Sequence, residues 1–192
     1  MILAILLISS SIFAASSMAS VGMIGGYSDA GSGYGLMGFN TSAQYLADIS
    51  NKAGVGLGSH IDLGFGLRKD LSFMFGIIVG PGFEFRLTPE QAINITIGPG
   101  LVMEAGRGYD SLAFGIGIDA LYTFYLDEDR TLGFSVGGTF YPEFIIDDES
   151  RPDASFGFTA VGYVGMTWRT RGYAEDPIDL DPLGYVILRE GI

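Results

Sequence analysis

Ser59-His60-Ile61-Asp62 is the one place in the chain where a hydroxyl, an imidazole and a carboxylate stand together, and His60 is the sole histidine. Those three types are what nucleophilic catalysis needs: an attacking oxygen, a base to take its proton, and an acid to orient the base. The spacing argues against it. On a strand, neighbouring residues point to opposite faces, so Ser59 and His60 do not meet, whereas His60 and Asp62 share a face. The pair therefore reads as a histidine satisfied by a carboxylate, and no catalytic residue is assigned. Gly80-Pro81-Gly82 and Gly98-Pro99-Gly100 look like phosphate loops only superficially, because no lysine follows either and no helix opens. Asp147-Asp148-Glu149 with Asp153 has the ligands for a divalent cation, but it lacks calcium-loop spacing and reads as a solvated turn. No cysteine is present, which removes disulfides, thiolate metal sites and thiol nucleophiles together. Neither a metal nor a cofactor is expected.

The elements that must position these residues are strands. In 54–68 the odd positions are Val55, Leu57, Ser59, Ile61, Leu63, Phe65 and Leu67, while the even ones are glycines with His60, Asp62 and Arg68. Alternation this long is a strand signature, since a helix would scatter both sets around its circumference. The same scheme recurs in 71–88, 92–106, 112–126, 131–145 and 155–169, separated by polar turns at 89–91, 107–111, 127–130 and 147–154. Two weaker alternations, 21–27 and 33–45, bring the expected count to eight. The short connections leave no room for crossover helices, so neighbours run antiparallel. The prolines at 81, 99 and 142 each remove a ladder donor, so bulges or bends are expected there.

Composition narrows the class. Thirty glycines and 25 aromatic residues (14 Phe, 10 Tyr, 1 Trp) accompany only 17% charged residues, and mean hydropathy is +0.36. The net charge of −12 excludes nucleic acid as a partner, because phosphate binding needs clustered Lys and Arg. Residues 1–19 carry an uncharged apolar run followed by small residues, the pattern of a secretory signal peptide cleaved before Ser20. Residues 20–170 then form the barrel, and 171–192 an acidic C-terminal tail.

Which face points outward decides the function class. A solvated strand face carries Lys, Glu, Thr and Arg, whereas the polar face here is dominated by glycine, which weakens a strand without benefit in water. Small residues suit the crowded interior of a narrow barrel. The opposite face is large, apolar and free of charge, so it is expected to meet lipid. Strands of roughly 14 to 18 residues also exceed the 9 to 11 needed to cross a bilayer. Phe73, Phe75, Phe83, Phe85, Tyr122, Phe124 and Trp168 fall toward strand ends on that face, as an interfacial aromatic girdle does.

The chain resembles the small outer-membrane β-barrel proteins of diderm bacteria, the class holding the OmpA transmembrane domain and the OmpX and OmpW types. The resemblance covers residues 20–170 and is most family-like in Gly-Phe-Gly-Leu-Arg-Lys-Asp-Leu-Ser-Phe (64–73). It implies an all-β, closed, up-and-down transmembrane barrel in the cell outer membrane. The partners it implies are outer-membrane lipid and, during insertion, the barrel-assembly machinery. The class usually ends on an aromatic strand terminus, for which Trp168-Arg169-Thr170 is the nearest match, followed here by the tail. Some eight-stranded members modify lipids with His, Ser and an acid, but only the divided Ser59-His60-Asp62 group is available for that.

With the small-residue face inside, the lumen receives Asp62, Glu84, Glu104, Asp119 and Glu143 together with His60, Arg68, Arg86 and Arg169. Folding the strands about their turns places His60 and Asp119 near mid-height with Asp62 a step away. Glu84, Arg86 and Arg169 gather at one end, and Glu104, Glu143 and Arg68 at the other. Buried charges need partners. The expected result is a plug of paired ions in a structural or interaction protein, with a narrow cation-preferring pore as the alternative.

Overall fold

The computed structural model describes residues 15–29, 33–50, 52–66, 72–106, 109–127, 129–146 and 155–170. Its elements are eight strands: β1 (Ala15–Ser28), β2 (Tyr34–Ser50), β3 (Ala53–Gly66), β4 (Phe73–Thr88), β5 (Gln91–Gly106), β6 (Tyr109–Tyr125), β7 (Leu132–Ile146) and β8 (Ser155–Thr170). Each pairs antiparallel with the next, and β8 pairs with β1 from Ser17↔Thr170 to Ser28↔Thr159, which closes the barrel. Among the described residues no helix is long and apolar enough to cross a membrane. The barrel has two ends. The first carries the start of β1, the end of β8 and the turns 51–52, 89–90 and 126–131; the second carries the other four connections.

Alternation sorts the side chains as period two requires. Leu57, Ile116, Phe144 and Phe156 face outward and are 62–66% exposed, while His60, Asp62, Asn94 and Thr96 face inward and are fully buried. Apolar side chains outside and charges inside is the inverse of a soluble barrel. Nor is the interior filled by small residues and ions alone. Leu36, Met74, Ile78, Val102 and Val161 pack together in the lumen toward the second end, each 4% exposed or less.

Three sequence expectations are changed by the structure. Strand β1 opens at Ala15, so residues 15–19 of the segment assigned to the leader lie in the barrel. There the inward positions Ser16, Met18 and Ser20 are all buried, a period that the surrounding serines and alanines conceal. Strand β6 opens at Tyr109, because the polar residues Asp110 and Ser111 continue the ladder opposite Ala105 and Glu104 instead of forming a turn. The prolines, thirdly, produce no bulge. The register is unchanged on either side of 79–81 against 97–99 and of 115–117 against 141–143, and pairing simply lapses across those stretches. Register shifts occur instead near strand ends, at Asp48/Ser50 and Arg86/Thr88. At the first gap Gly80 and Gly98 allow the two backbones to close up: a Cβ on Gly80 would lie 2.1 Å from the Ile97 carbonyl oxygen.

Candidate functional site in the barrel lumen

Hydrogen bonds cross the full width of the lumen at three heights, joining strands four apart in a ring of eight. At the first end Arg169 of β8 donates from Nη1 to Glu84 Oε1 of β4 at 2.6 Å. At mid-height the Tyr141 hydroxyl of β7 donates to Asp62 Oδ2 of β3 at 2.8 Å. At the second end Ser28 of β1 donates to Glu104 Oε1 of β5 at 2.5 Å.

The first-end cluster is built on the two-residue period of β4, which puts Glu84 and Arg86 on the same inner face. Arg86 Nε donates to Glu84 Oε2 at 2.9 Å and its Nη2 pairs with Asp48. Arg169 adds a second bond to Glu84 Oε2 at 3.1 Å and one to Ser16 Oγ at 2.8 Å. Glu84 is 1% exposed, so both guanidinium groups offset the desolvation of one carboxylate. Below this lies an uncharged layer in which Asn94 Nδ2 donates to Gln44 Oε1 at 3.0 Å and Gln44 Nε2 donates to Thr96 Oγ1 at 2.9 Å.

At mid-height His60 sits between two carboxylates. Its Nε2 is 2.9 Å from Asp62 Oδ1, and its Nδ1 is 3.3 Å from Asp119 Oδ1, close enough for charge attraction although not aligned as a hydrogen bond. Tyr163 donates to Asp119 Oδ1 at 2.6 Å and holds its ring 5.5 Å from the imidazole. The Thr139 hydroxyl lies 3.0 Å from His60 Nε2. This corrects the expectation that no hydroxyl neighbours the base: Thr139 stands 79 residues away in sequence and is delivered by β7. The group is nevertheless sealed, with His60 and Asp62 fully buried and Asp119 and Thr139 at 1% and 3%. Ser59 is on the outer face, its hydroxyl turned to the Ala43 carbonyl oxygen at 3.5 Å.

Of the residues expected in the lumen, His60, Asp62 and Asp119 come together at mid-height, and Glu84, Arg86 and Arg169 come together at the first end. Glu104 lies at the second end with Ser28, and Thr159 donates to Ser28 at 3.0 Å. Arg68 lies outside the described residues, as does the side chain of Glu143, whose backbone pairs with Gly157. Residues 171–192 and the acidic run 147–153 are outside them as well. Sequence reading missed Tyr141, Tyr163, Gln44 and Asn94 as members of the network. Their inward parity was the available signal, but cross-lumen partnership depends on the offset between strands.

Toward the second end buried apolar side chains pack in the interior. The gap bounded by Gly100, Val102, Ala113, Gly117 and Tyr141 has no room for a water molecule. On the outside, Phe73, Phe85, Phe124 and Trp168 are 39–48% exposed, and Phe75, Phe83 and Tyr122 are partly covered by their neighbours. At the second end outward rings pair edge to face, Phe65 with Phe73 at 5.9 Å and Phe144 with Phe156 at 5.5 Å.

A closed ring of eight antiparallel strands, apolar outside and ionic inside, is the transmembrane β-barrel fold of the outer-membrane type. Solved structures with this fold include Ail, the attachment invasion locus protein of Yersinia pestis, in complex with the heparin analogue sucrose octasulfate (TM-score 0.57, 14% identity, covering 82% of this chain and 100% of that one). Neisserial surface protein A matches at TM-score 0.51 and 11% identity over 83% of this chain and 97% of that one. The outer membrane protein OprG of Pseudomonas aeruginosa matches at TM-score 0.50 and 10% identity over 84% and 99%. No protein-family model and no curated protein matches the sequence.

Proposed function

We propose that the chain is an outer-membrane protein with a structural or interaction role, its lumen plugged by its own side chains. The observation that carries this is the stack of full-width bonds, Arg169–Glu84, Tyr141–Asp62 and Ser28–Glu104, with a buried apolar layer between the last two. A conduit needs a continuous polar path, and an enzyme needs a reachable nucleophile. The sealed Thr139–His60–Asp62 group supplies no such access. Membrane lipid covers the outer belt, and the barrel-assembly machinery is the partner during insertion. An export leader would then end upstream of Ala15, because Ser16 and Met18 are part of the wall.

The first end is assigned to the periplasm. Two of its three turns are two residues long, 51–52 and 89–90, whereas 147–154 at the second end is the longest connection. That longest connection carries Asp147, Asp148, Glu149 and Asp153 against Arg151. The polyanion recognition seen in Ail is therefore not carried over to this chain. Planar-bilayer recording of the folded protein tests the reading: no steady conductance is expected, and a reproducible single-channel current would overturn the plug. A chain that stays monomeric and soluble without detergent, with no heat-modifiable mobility on gels, would overturn the membrane assignment.

A further inference from the structure

The outer wall is not uniformly convex. Across β8, β1, β2, β3 and β4 the register places Trp168, Ala19, Ala43, Ser59 and Val79 side by side in one row. The middle three side chains are small and the two flanking ones are large, so the row forms a dent of about 170 Å³, with Tyr45 on its first-end lip. The next row toward the second end restores bulk with Met166, Val21, Ile61 and Ile77, whereas on the first-end side Ser17 and Thr170 extend the dent. Its surface is almost entirely apolar. Its serine and threonine hydroxyls bond within the protein: Ser59 donates to the Ala43 carbonyl oxygen, and Ser17 bonds to Thr170.

We propose that this dent is a binding site for one acyl chain of a membrane lipid, a proposal that rests on the membrane-spanning reading above. Three observations select that occupant. The site lies within the apolar outer belt, where hydrocarbon is the solvent. Its lining is almost entirely apolar, with the Trp168 indole N–H and the Tyr45 hydroxyl the polar groups at its edge, which disfavours a headgroup or sugar as the buried part. Its volume accommodates a run of several methylene groups. In lipid the hydrophobic effect does not favour one apolar contact over another, so selectivity comes from packing. A chain in a concave site touches protein on three sides, whereas one on a convex wall touches it on one, and dispersion contacts accumulate accordingly. Trp168 forms one wall, and its indole is the amphipathic ring type that settles at the membrane interface. The acyl chain then enters from the first-end leaflet with its headgroup near the Thr170 level.

Trp168 is the only tryptophan in the chain, so its fluorescence reports the site without labelling. The folded protein in detergent is titrated with a phosphatidylethanolamine carrying a brominated acyl chain, which quenches indole on contact. Expected is a saturable quenching phase complete near one lipid per protein, accompanied in native mass spectra by a single retained lipid. The Ala43→Leu and Ser59→Leu variants fill the floor and should lose both, while heat-modifiable mobility verifies that they fold. If either variant fails to fold, the wild-type titration and mass spectrum decide alone. Quenching that only tracks the bulk lipid fraction, with no retained lipid, overturns the site. So does an Ala43→Cys protein that crosslinks to itself in bilayers, which would assign the dent to a second copy. Those results would leave the barrel in the membrane, whereas a protein soluble without detergent would remove the membrane reading itself.

Discussion

Arg169 and Glu84 stand on opposite walls of the barrel and meet at 2.6 Å across its axis. Neither charge is accommodated by its own strand neighbours alone. The carboxylate is buried at the first-end mouth, and the guanidinium that reaches it across the lumen comes from β8.

Replacing Arg169 with alanine leaves Glu84 with Arg86 as its remaining counter-ion. Breaking a buried pair costs about 3 to 5 kcal/mol, and the surviving partner places this case near the lower bound. Phe83→Ala removes a lipid-facing ring whose space lipid can refill, so about 1 kcal/mol is expected, below the core range. Unfolding midpoints in detergent or lipid should therefore rank Arg169→Ala as the more damaging. The opposite order would show that water reaches Glu84.

His60 separates two carboxylates that would otherwise face each other in a dry interior. His60→Leu should be among the most destabilising single changes, on the order of 3 to 5 kcal/mol. The triple variant His60→Leu, Asp62→Asn, Asp119→Asn should recover part of that loss, because no uncompensated charge remains. Urea unfolding in lipid measures both. Absence of any recovery would mean that the imidazole acts by shape.

The plug can be opened by design. Tyr141 and Ile78 occupy the apolar side of the mid-height cluster, and each is 2% exposed or less. If the lumen is plugged as proposed, a Tyr141→Ala, Ile78→Gly double variant should introduce measurable single-channel current into a barrel for which none is expected. Its stability should fall by several kcal/mol, since large-to-small core changes cost about 3 to 5 kcal/mol for an aromatic residue. A folded but silent variant would place the seal elsewhere, in the Leu36–Met74–Val102 layer.

The first-end turn offers a titration. Asp127 is held at a pKa of about 2, below its ordinary 3.8, first by the Thr131 hydroxyl and then by the backbone N–H groups of Leu132 and Thr131. Its folded pKa is depressed, so the stability it contributes is fully present above 3.8 and is lost as pH falls toward 2. Asp127→Asn should thus be less stable than the parent at pH 6 and indistinguishable from it near pH 2. A difference that persists unchanged at pH 2 would contradict the hydrogen-bonded turn.

Much of the fold could be read from residue 54 onward, because Val55-to-Leu67 parity declares both the strand and its two faces. It was less readable upstream, where Ser16, Met18 and Ser20 alternate with serine and alanine and the hydrophobic contrast vanishes. It also failed at Asp110-Ser111, whose polarity mimics a turn but which pair with Ala105 and Glu104 at the end of the β5–β6 ladder. In the site, His60–Asp62 and Glu84–Arg86 were legible because two-residue spacing is local. Thr139, Tyr141 and Tyr163 were not, since their partners depend on how far each strand slides against the next. The apolar layer of Leu36, Met74 and Val102 escaped notice for a similar reason: each residue is an isolated exception on a mostly small face, and only closure gathers them.

The pairing of β8 with β1 is the seam at which the chain's two ends must find each other. Hairpin contacts between consecutive strands can form as the chain inserts, with short loops to close. The bonds from Arg169 to Ser16 and to Glu84 cannot, because before the seam shuts Arg169 and Ser16 lie on opposite edges of an open sheet and Glu84 lies near its middle, four strands from Arg169. They act as a latch that engages only once the seam is shut. An interaction made only in the closed barrel slows its opening and so lengthens the lifetime of the finished barrel.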